Sequence, residues 1–151
     1  MHWCPSARID DPDAVVLGVR SGPDGEVAYL AAPVAAADVV PILPPDIPPG
    51  RILRLAATCS SSCAHRDGEA CGLIDRLVRL PSAAGDGPVP RCHLRPRCKW
   101  WHQAGVAACR RCPAVATAVD PREPAHVLAA DPAATPEDVD AWMAAYAPDA
   151  D

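Results

Sequence analysis

The sequence predicts a small α+β protein, loop-rich and metal-stabilised. Three observations lead there. The first is a thin supply of core-forming residues. Leu, Ile and Val total 29 of 151 residues and Phe is absent. That is about 19%, just under the ~20% at which chains begin to look disordered. Thirty alanines inflate the hydrophobic fraction without adding bulk. The second is 19 prolines and 9 glycines, which break the chain into short elements. The third is eight cysteines, Cys4, Cys59, Cys63, Cys71, Cys92, Cys98, Cys109 and Cys112, which could staple a fold that burial alone cannot hold. The composition excludes a coiled coil and a doubly wound α/β enzyme, and no apolar run reaches the ~18–20 residues of a membrane span.

The expected organisation is one metal-binding domain over 1–119 and an acidic, Ala/Pro-rich tail over 120–151. Residues 14–20 and 26–32 are Val/Leu/Tyr-bearing runs around the turn cluster Ser21-Gly22-Pro23-Asp24-Gly25, and 14–32 reads as a β-hairpin. Residues 41–50 hold five prolines and read as an extended strap that cannot be helical. Residues 51–56 read as a strand. From Cys71 to Leu80, the residues Leu73, Ile74, Leu77, Val78 and Leu80 recur at helical spacing, with Arg76 and Arg79 on the opposite, polar face. Pro81 ends that helix, and 82–90 is a loop. Residues 113–134 show no period and read as a linker or strap. Thr135-Pro136-Glu137-Asp138 is a helix start, and Val139, Trp142, Met143 and Tyr146 give 136–146 one apolar stripe, suited to docking on the protein's own core or on a partner.

The cysteines fall into two sets. Cys92, Cys98, Cys109 and Cys112 supply four thiols within 21 residues, enough for a closed site, here site one. Cys59, Cys63 and Cys71 supply three, and site two needs a fourth ligand: Cys4, or alternatively His65. Cys4 precedes Pro5 as Cys112 precedes Pro113. His93 and His102 fit positions beside the sulfur ligands or on the surface, and His2 and His126 carry no site signal. The N-terminal stretch has no basic leader or apolar region of a secretory signal. A cytoplasmic chain keeps its thiols reduced, so metal binding is favoured over disulfides. Zinc sites usually combine two short cysteine pairs, and neither set offers two. Iron–sulfur clusters accept irregular loops and often a Cys-Pro ending. One or two clusters, of the 4Fe-4S type, are therefore the expected cofactor, with zinc as the alternative.

Helix geometry constrains site one. In one unbroken helix Cys98 and Cys109 would lie about 16 Å apart along the axis, too far for one metal centre. A short helix over 99–104, broken at Gly105 and followed by a turn, would bring them together. That helix carries Trp100 and Trp101, which cannot share one face. One should cover the metal site. Between Arg91 and Cys112 lie six basic side chains and no acid, in a chain of net charge −5. Arg95, Arg97, Lys99, Trp100, Arg110 and Arg111 are the expected partner surface, for a protein or for nucleic acid.

The strings Cys59-Ser-Ser-Ser-Cys63-Ala-His65 through Cys71-Gly-Leu-Ile-Asp-Arg, and Cys98-Lys-Trp-Trp-His-Gln-Ala-Gly-Val-Ala-Ala-Cys109-Arg-Arg-Cys112-Pro, resemble a family of small bacterial cysteine-rich proteins, some labelled nitrogen-fixation proteins. The likeness spans roughly residues 3–119. It implies a cytoplasmic iron–sulfur protein and carries no reaction or catalytic residues.

No phosphate loop, nucleophile elbow, H-E-x-x-H or dinucleotide fingerprint is present, which argues against an enzyme. The expected function is an accessory iron–sulfur protein, an electron carrier or redox sensor that docks on a protein partner. The alternatives are a zinc-stabilised protein- or nucleic-acid-binding module, and a catalytic iron–sulfur protein with an open iron at the three-cysteine set.

Overall fold

The computed structural model describes residues 2–21, 26–60, 62–81, 87–115, 119 and 121–146. It is a small mixed α+β protein with an N-terminal antiparallel sheet and several short helices. The elements run β1 (Trp3–Cys4), β2 (Val15–Ser21), β3 (Glu26–Ala35), α1 (Ala36–Val39), α2 (Pro49–Ile52), β4 (Leu53–Thr58), β5 (Arg66–Asp67), β6 (Ala70–Cys71), α3 (Gly72–Leu77), α4 (Lys99–Ala104), α5 (Val106–Arg111), α6 (Pro124–Ala129) and α7 (Pro136–Tyr146). The main sheet has the order β1-β4-β2-β3, and β5 and β6 form a separate two-stranded ribbon.

The central strands β2 and β4 are buried on both faces because they carry apolar side chains at odd and even positions, whereas most of β3 beyond Leu30 is exposed. In β4, Leu53, Leu55 and Ala57 enter a core with Ala7, Ala14 and Val16, while Ala56 faces a second core built by the helices. The register between Val16 and Gly18 is irregular on both sides of β2. Against β4 the bulge places one extra residue in β2, so Val16 and Val19 serve one face while Leu17 is delivered, fully buried, to the helical core. Gly18 is required there: a Cβ would sit 2.6 Å from Val27 Cγ1 and 2.8 Å from the Ala28 carbonyl oxygen.

The 14–32 hairpin is present as β2–β3, with its turn cluster 22–25 outside the described residues, as is most of the 82–90 loop. The 51–56 strand begins two residues later, at Leu53. Three expectations are corrected. The Pro-rich strap is not wholly extended: Val40–Ile42 is a 3-10 turn and Pro49–Ile52 a helical turn. Proline is tolerated in a first helical turn, where its missing N–H has no partner to lose. Residues 124–129, expected as linker, are helical, because Pro124 starts the helix and Ala125, Leu128 and Ala129 pack on the core. Arg76 does not face solvent but is 3% exposed. Its guanidinium donates to the carbonyls of Ala129 (2.7 Å) and Ala134 (3.3 Å), which the α6–α7 connection lays across α3.

Helix α7 has the expected cap. Asp138 N–H donates to Thr135 Oγ1 at 3.1 Å, and Thr135 N–H donates to Asp138 Oδ2 at 2.9 Å, a reciprocal capping box. Val139 and Ala129 are completely buried in the same core as Leu17, Ile74, Leu94 and Trp100. The segment beyond residue 119 therefore shares the core of the segment before it.

Candidate metal centres

Site one is assembled on the helical face of the sheet. Cys98 caps the N-terminus of α4, Cys109 lies in α5, and Cys112 ends α5. Gly105 separates the two helices at φ +63°, ψ −140°, a conformation that disfavours any side chain. The break falls where the spacing demands it, although the chain resumes as helix α5 rather than as a turn. Cys92, Cys98, Cys109 and Cys112 all line one cavity of about 20 Å³, with Tyr29, Trp100 and Trp101 among its walls.

The surroundings of these sulfurs are donors. Tyr29 Oη and Arg54 Nη2 each lie 3.5 Å from Cys112 Sγ. Backbone N–H groups of Leu94 and Arg95 face Cys92, and those of Trp100 and Trp101 face Cys98. Burial raises the Cys92 thiol and pushes Cys98 up to about 12, against those amides and with Cys112 adding to the rise. Burial and the neighbouring Cys112 also push the Tyr29 phenol up.

Site two sits at the sheet's β1 edge. Cys4 pairs with Ala57 across β1–β4, and Cys59 N–H donates to the His2 carbonyl at 2.9 Å. The β5–β6 ribbon then returns Cys71, which caps α3. Cys4 lies within electrostatic reach of Cys71, Cys59 and Cys63. Burial, with those neighbours, pushes it up to about 12, against one N–H···S contact from Ser6 at 3.4 Å. Cys71 is raised by burial and faced by the amides of Ile74 and Leu73. Cys63 is exposed. His65 Nδ1 lies 2.7 Å from Arg76 Nη2 and accepts from it, so that nitrogen is already engaged. Gly72 allows this packing: a Cβ would meet Arg76 Nη1 at 2.9 Å and the His65 carbonyl oxygen at 3.0 Å.

Two buried arginines stand beside the two sets. Arg54, 1% exposed in β4, donates to the carbonyls of Pro5 (2.8 Å) and Cys112 as well as facing Cys112 Sγ. Arg76 has Cys71 as its leading acidic neighbour, with the Asp131 and Asp75 carboxylates also in electrostatic reach. Among the described residues neither forms an ion pair with a carboxylate. The lone Arg between Leu53 and Leu55 was the sequence signal for Arg54. Tyr29 and Gln103, which also touch the sites, carried none.

The basic stretch is used internally. Trp100 is 1% exposed and is corrected from partner surface to core, because α4 turns it inward onto Leu17, Ile74 and Leu94. Arg95 donates to the Pro90 carbonyl and lies over Trp101 at 5.4 Å. Lys99 donates to the Glu69 carbonyl, Arg110 to Gly87 at 3.3 Å, and Arg111 to Leu80 at 2.9 Å. Arg97 is exposed, 5.8 Å from the Trp3 ring.

The donor chemistry fits a thiolate-bound centre at both sets: cysteines that are mostly half-buried or buried, N–H groups aimed at sulfur, and a buried guanidinium beside each set. The buried indole N–H of Trp100 adds to this. It faces the Cys71 sulfur outside full hydrogen-bond geometry and has no other partner. Spatially the sites are not closed. Among the described residues no three Cys, His, Asp or Glu side chains stand as a ready single-ion site. Protonated thiols do not draw one another together, and deprotonated sulfurs would be held together only by a bound cation.

No protein-family model, no curated protein and no solved structure matches the chain. No helix of the described residues is long and apolar enough to cross a membrane.

Proposed function

We propose that this chain is an accessory iron–sulfur protein that carries or senses single electrons and docks on a protein partner. The observation that carries the reading is the placement of a buried guanidinium beside each four-thiol set, Arg54 at Cys112 and Arg76 near Cys71, neither in a carboxylate ion pair among the described residues. A buried cation without a paired counter-ion is costly, and for Arg54 a thiolate-ligated centre at Cys112 is the anion within its reach. Site one would use Cys92, Cys98, Cys109 and Cys112; site two would use Cys4, Cys59, Cys63 and Cys71. Bound there, a cluster supplies one-electron chemistry. Arg54 offsets thiolate charge at Cys112, Tyr29 donates to the same sulfur, and Trp100 with Trp101 excludes water. The absence of two short cysteine pairs in either set favours iron–sulfur over zinc.

One observation favours a second reading, a zinc-stabilised binding module. The site-one cavity of about 20 Å³ has room for one water-sized body, which suits a single ion better than a multi-iron core unless Cys109 and Cys112 swing outward. Anaerobic purification with iron, sulfide and zinc analysis separates the two. The iron–sulfur reading expects brown protein, broad absorbance near ~400 nm and bleaching by dithionite. A colourless, folded protein holding zinc and no sulfide would replace it with the zinc module.

A further inference from the structure

Helix α4 belongs to both cysteine sets at once. Its N-cap is Cys98 of site one, and Trp100 forms part of the wall of the site-one cavity. Yet three of its side chains reach across to the Glu69–Cys71 stretch of site two. Gln103 clamps the Cys71 backbone from both sides: Cys71 N–H donates to Gln103 Oε1 at 2.8 Å, and Gln103 Nε2 donates to the Cys71 carbonyl at 2.9 Å. The same amide nitrogen donates to Asp75 Oδ1 at 2.7 Å, one turn into α3. Lys99 Nζ donates to the Glu69 carbonyl. Trp100 points its unpartnered indole N–H at Cys71. These three positions share a face because Lys99 and Gln103 are four residues apart and Trp100 and Gln103 three. A second tie runs through the N-terminal strand, where Trp3 bridges Cys98 next to Cys4.

We infer that Gln103 and Trp100 are positioning residues through which the two cysteine sets take up metal as one cooperative unit. The inference rests on the proposal that both sets bind metal, and it holds for an iron–sulfur cluster or for zinc. Metal drawing on Cys98 fixes the start of α4. Once α4 is fixed, Gln103 holds the Cys71 backbone and Trp100 its sulfur side, so that site two has less order left to impose on its own ligands. By linkage the converse must hold with the same factor. Neither residue is a ligand, and neither forms part of a site by spacing alone.

The test uses anaerobically isolated full-length protein challenged with graded EDTA, and mass spectrometry to map which cysteines become alkylated. In the unmodified protein both sets should become reactive at the same EDTA concentration. Gln103→Ala should split them, with Cys4, Cys59, Cys63 and Cys71 exposed at a several-fold lower concentration than the site-one set. General destabilisation would instead move both sets together, and that result overturns the inference. Cys109→Ser removes a site-one thiol without touching α4. It should lower EDTA resistance of site two several-fold, although no site-two ligand has changed. Wild-type resistance at site two in that variant also overturns the coupling. If Cys109→Ser fails to fold by far-UV circular dichroism, Gln103→Ala decides alone. Absence of bound metal from the isolated unmodified protein would defeat the proposed function itself, and the coupling with it. That outcome is distinguishable because the metal analysis precedes the challenge.

Discussion

The two cysteine sets have equal numbers of thiols and different architectures. Site one is walled by Trp100, Leu17 and Leu94 between the sheet and α4–α5. Site two hangs on the edge strand β1, a loop and a two-residue-strand ribbon, and one of its thiols, Cys63, is exposed. The core that surrounds site one holds most of the large buried side chains, whereas the core across the sheet is filled by Ala, Val and Leu. The site-one cysteines thus lie in or against the larger core. Site two is attached to it through the β1–β4 pairing, α3 and the side chains of α4. The exposed set is the one a partner or reagent can reach; the enclosed set is the one whose loss should disturb the structure.

One property does not follow exposure. Each set contains two thiols raised by burial: Cys4 and Cys71 in site two, Cys98 and Cys92 in site one. A raised thiol keeps its proton at neutral pH, so metal must displace it. Each displaced proton makes apparent affinity rise about tenfold per pH unit, so the two raised thiols alone make it rise by at least ~100-fold per unit in either set. Loading measured from pH 6 to 8 with the competing chelator held constant in effect should span at least about four decades. A much shallower slope at one set would show that its thiols are already ionised. The sign for the metal-free fold is opposite. Cys4 and Cys98 rise from 9.0 to about 12, so their contribution is complete below pH 9 and is lost as pH climbs toward 12. Denaturant midpoints of metal-free, reduced protein should fall over that window.

Trp100→Ala sharpens the contrast between the two cores. Trp100 is the largest fully buried side chain, and truncation should cost about 3–5 kcal/mol. It also removes a site-one wall and the donor at Cys71, so metal content should fall in both sets. Leu55→Ala, in the opposite core, should cost about 2–5 kcal/mol with metal retained. Urea denaturation alongside metal analysis checks both. Similar metal loss in the two variants would mean that the sites report general stability and not their own walls.

Arg54 tests the charge argument. Arg54→Met removes the donor to the Pro5 and Cys112 carbonyls, which at roughly 1–3 kcal/mol per unsatisfied buried group is partly offset by removing a desolvated charge. The metal-free protein should therefore be moderately destabilised. The loaded protein should lose about 1–3 kcal/mol more than the metal-free one, because a thiolate centre at Cys112 loses its cation. Equal effects in both states would remove Arg54 from the site's electrostatics.

Much of the fold was legible because its signals are local. The β2–β3 hairpin follows from two Val-bearing runs, the 99–104 helix and its stop from Gly105, and α7 from Thr135-Pro136. Helix α6 was not, since Ala125 and Ala129 form a face too small to give a hydrophobic period. The burial of Arg76 was also hidden. Its partners are the backbone carbonyls of Ala129 and Ala134, which no side-chain pattern encodes. The thiols could be counted from sequence, but not the groups around them. Tyr29 and Gln103 reach cysteines 83 and 32 residues away, and only the topology brings them there.

The smallest effect separates stability from binding. Cys63 is exposed and holds no buried contact that Ser would break, so Cys63→Ser should move the metal-free denaturation midpoint by no more than ~0.5 kcal/mol. Cys98 is 8% exposed, sits at the start of α4 and packs in the helical core. Cys98→Ala should cost the metal-free fold about 1 kcal/mol, the order expected for one buried group of methylene size. Both substitutions remove one thiol from a set of four, so both should weaken metal retention. If the exposed thiol proves as important to the metal-free fold as the buried one, then site two is part of the structural core, and the division between an enclosed stabilising set and an attached accessible set is wrong.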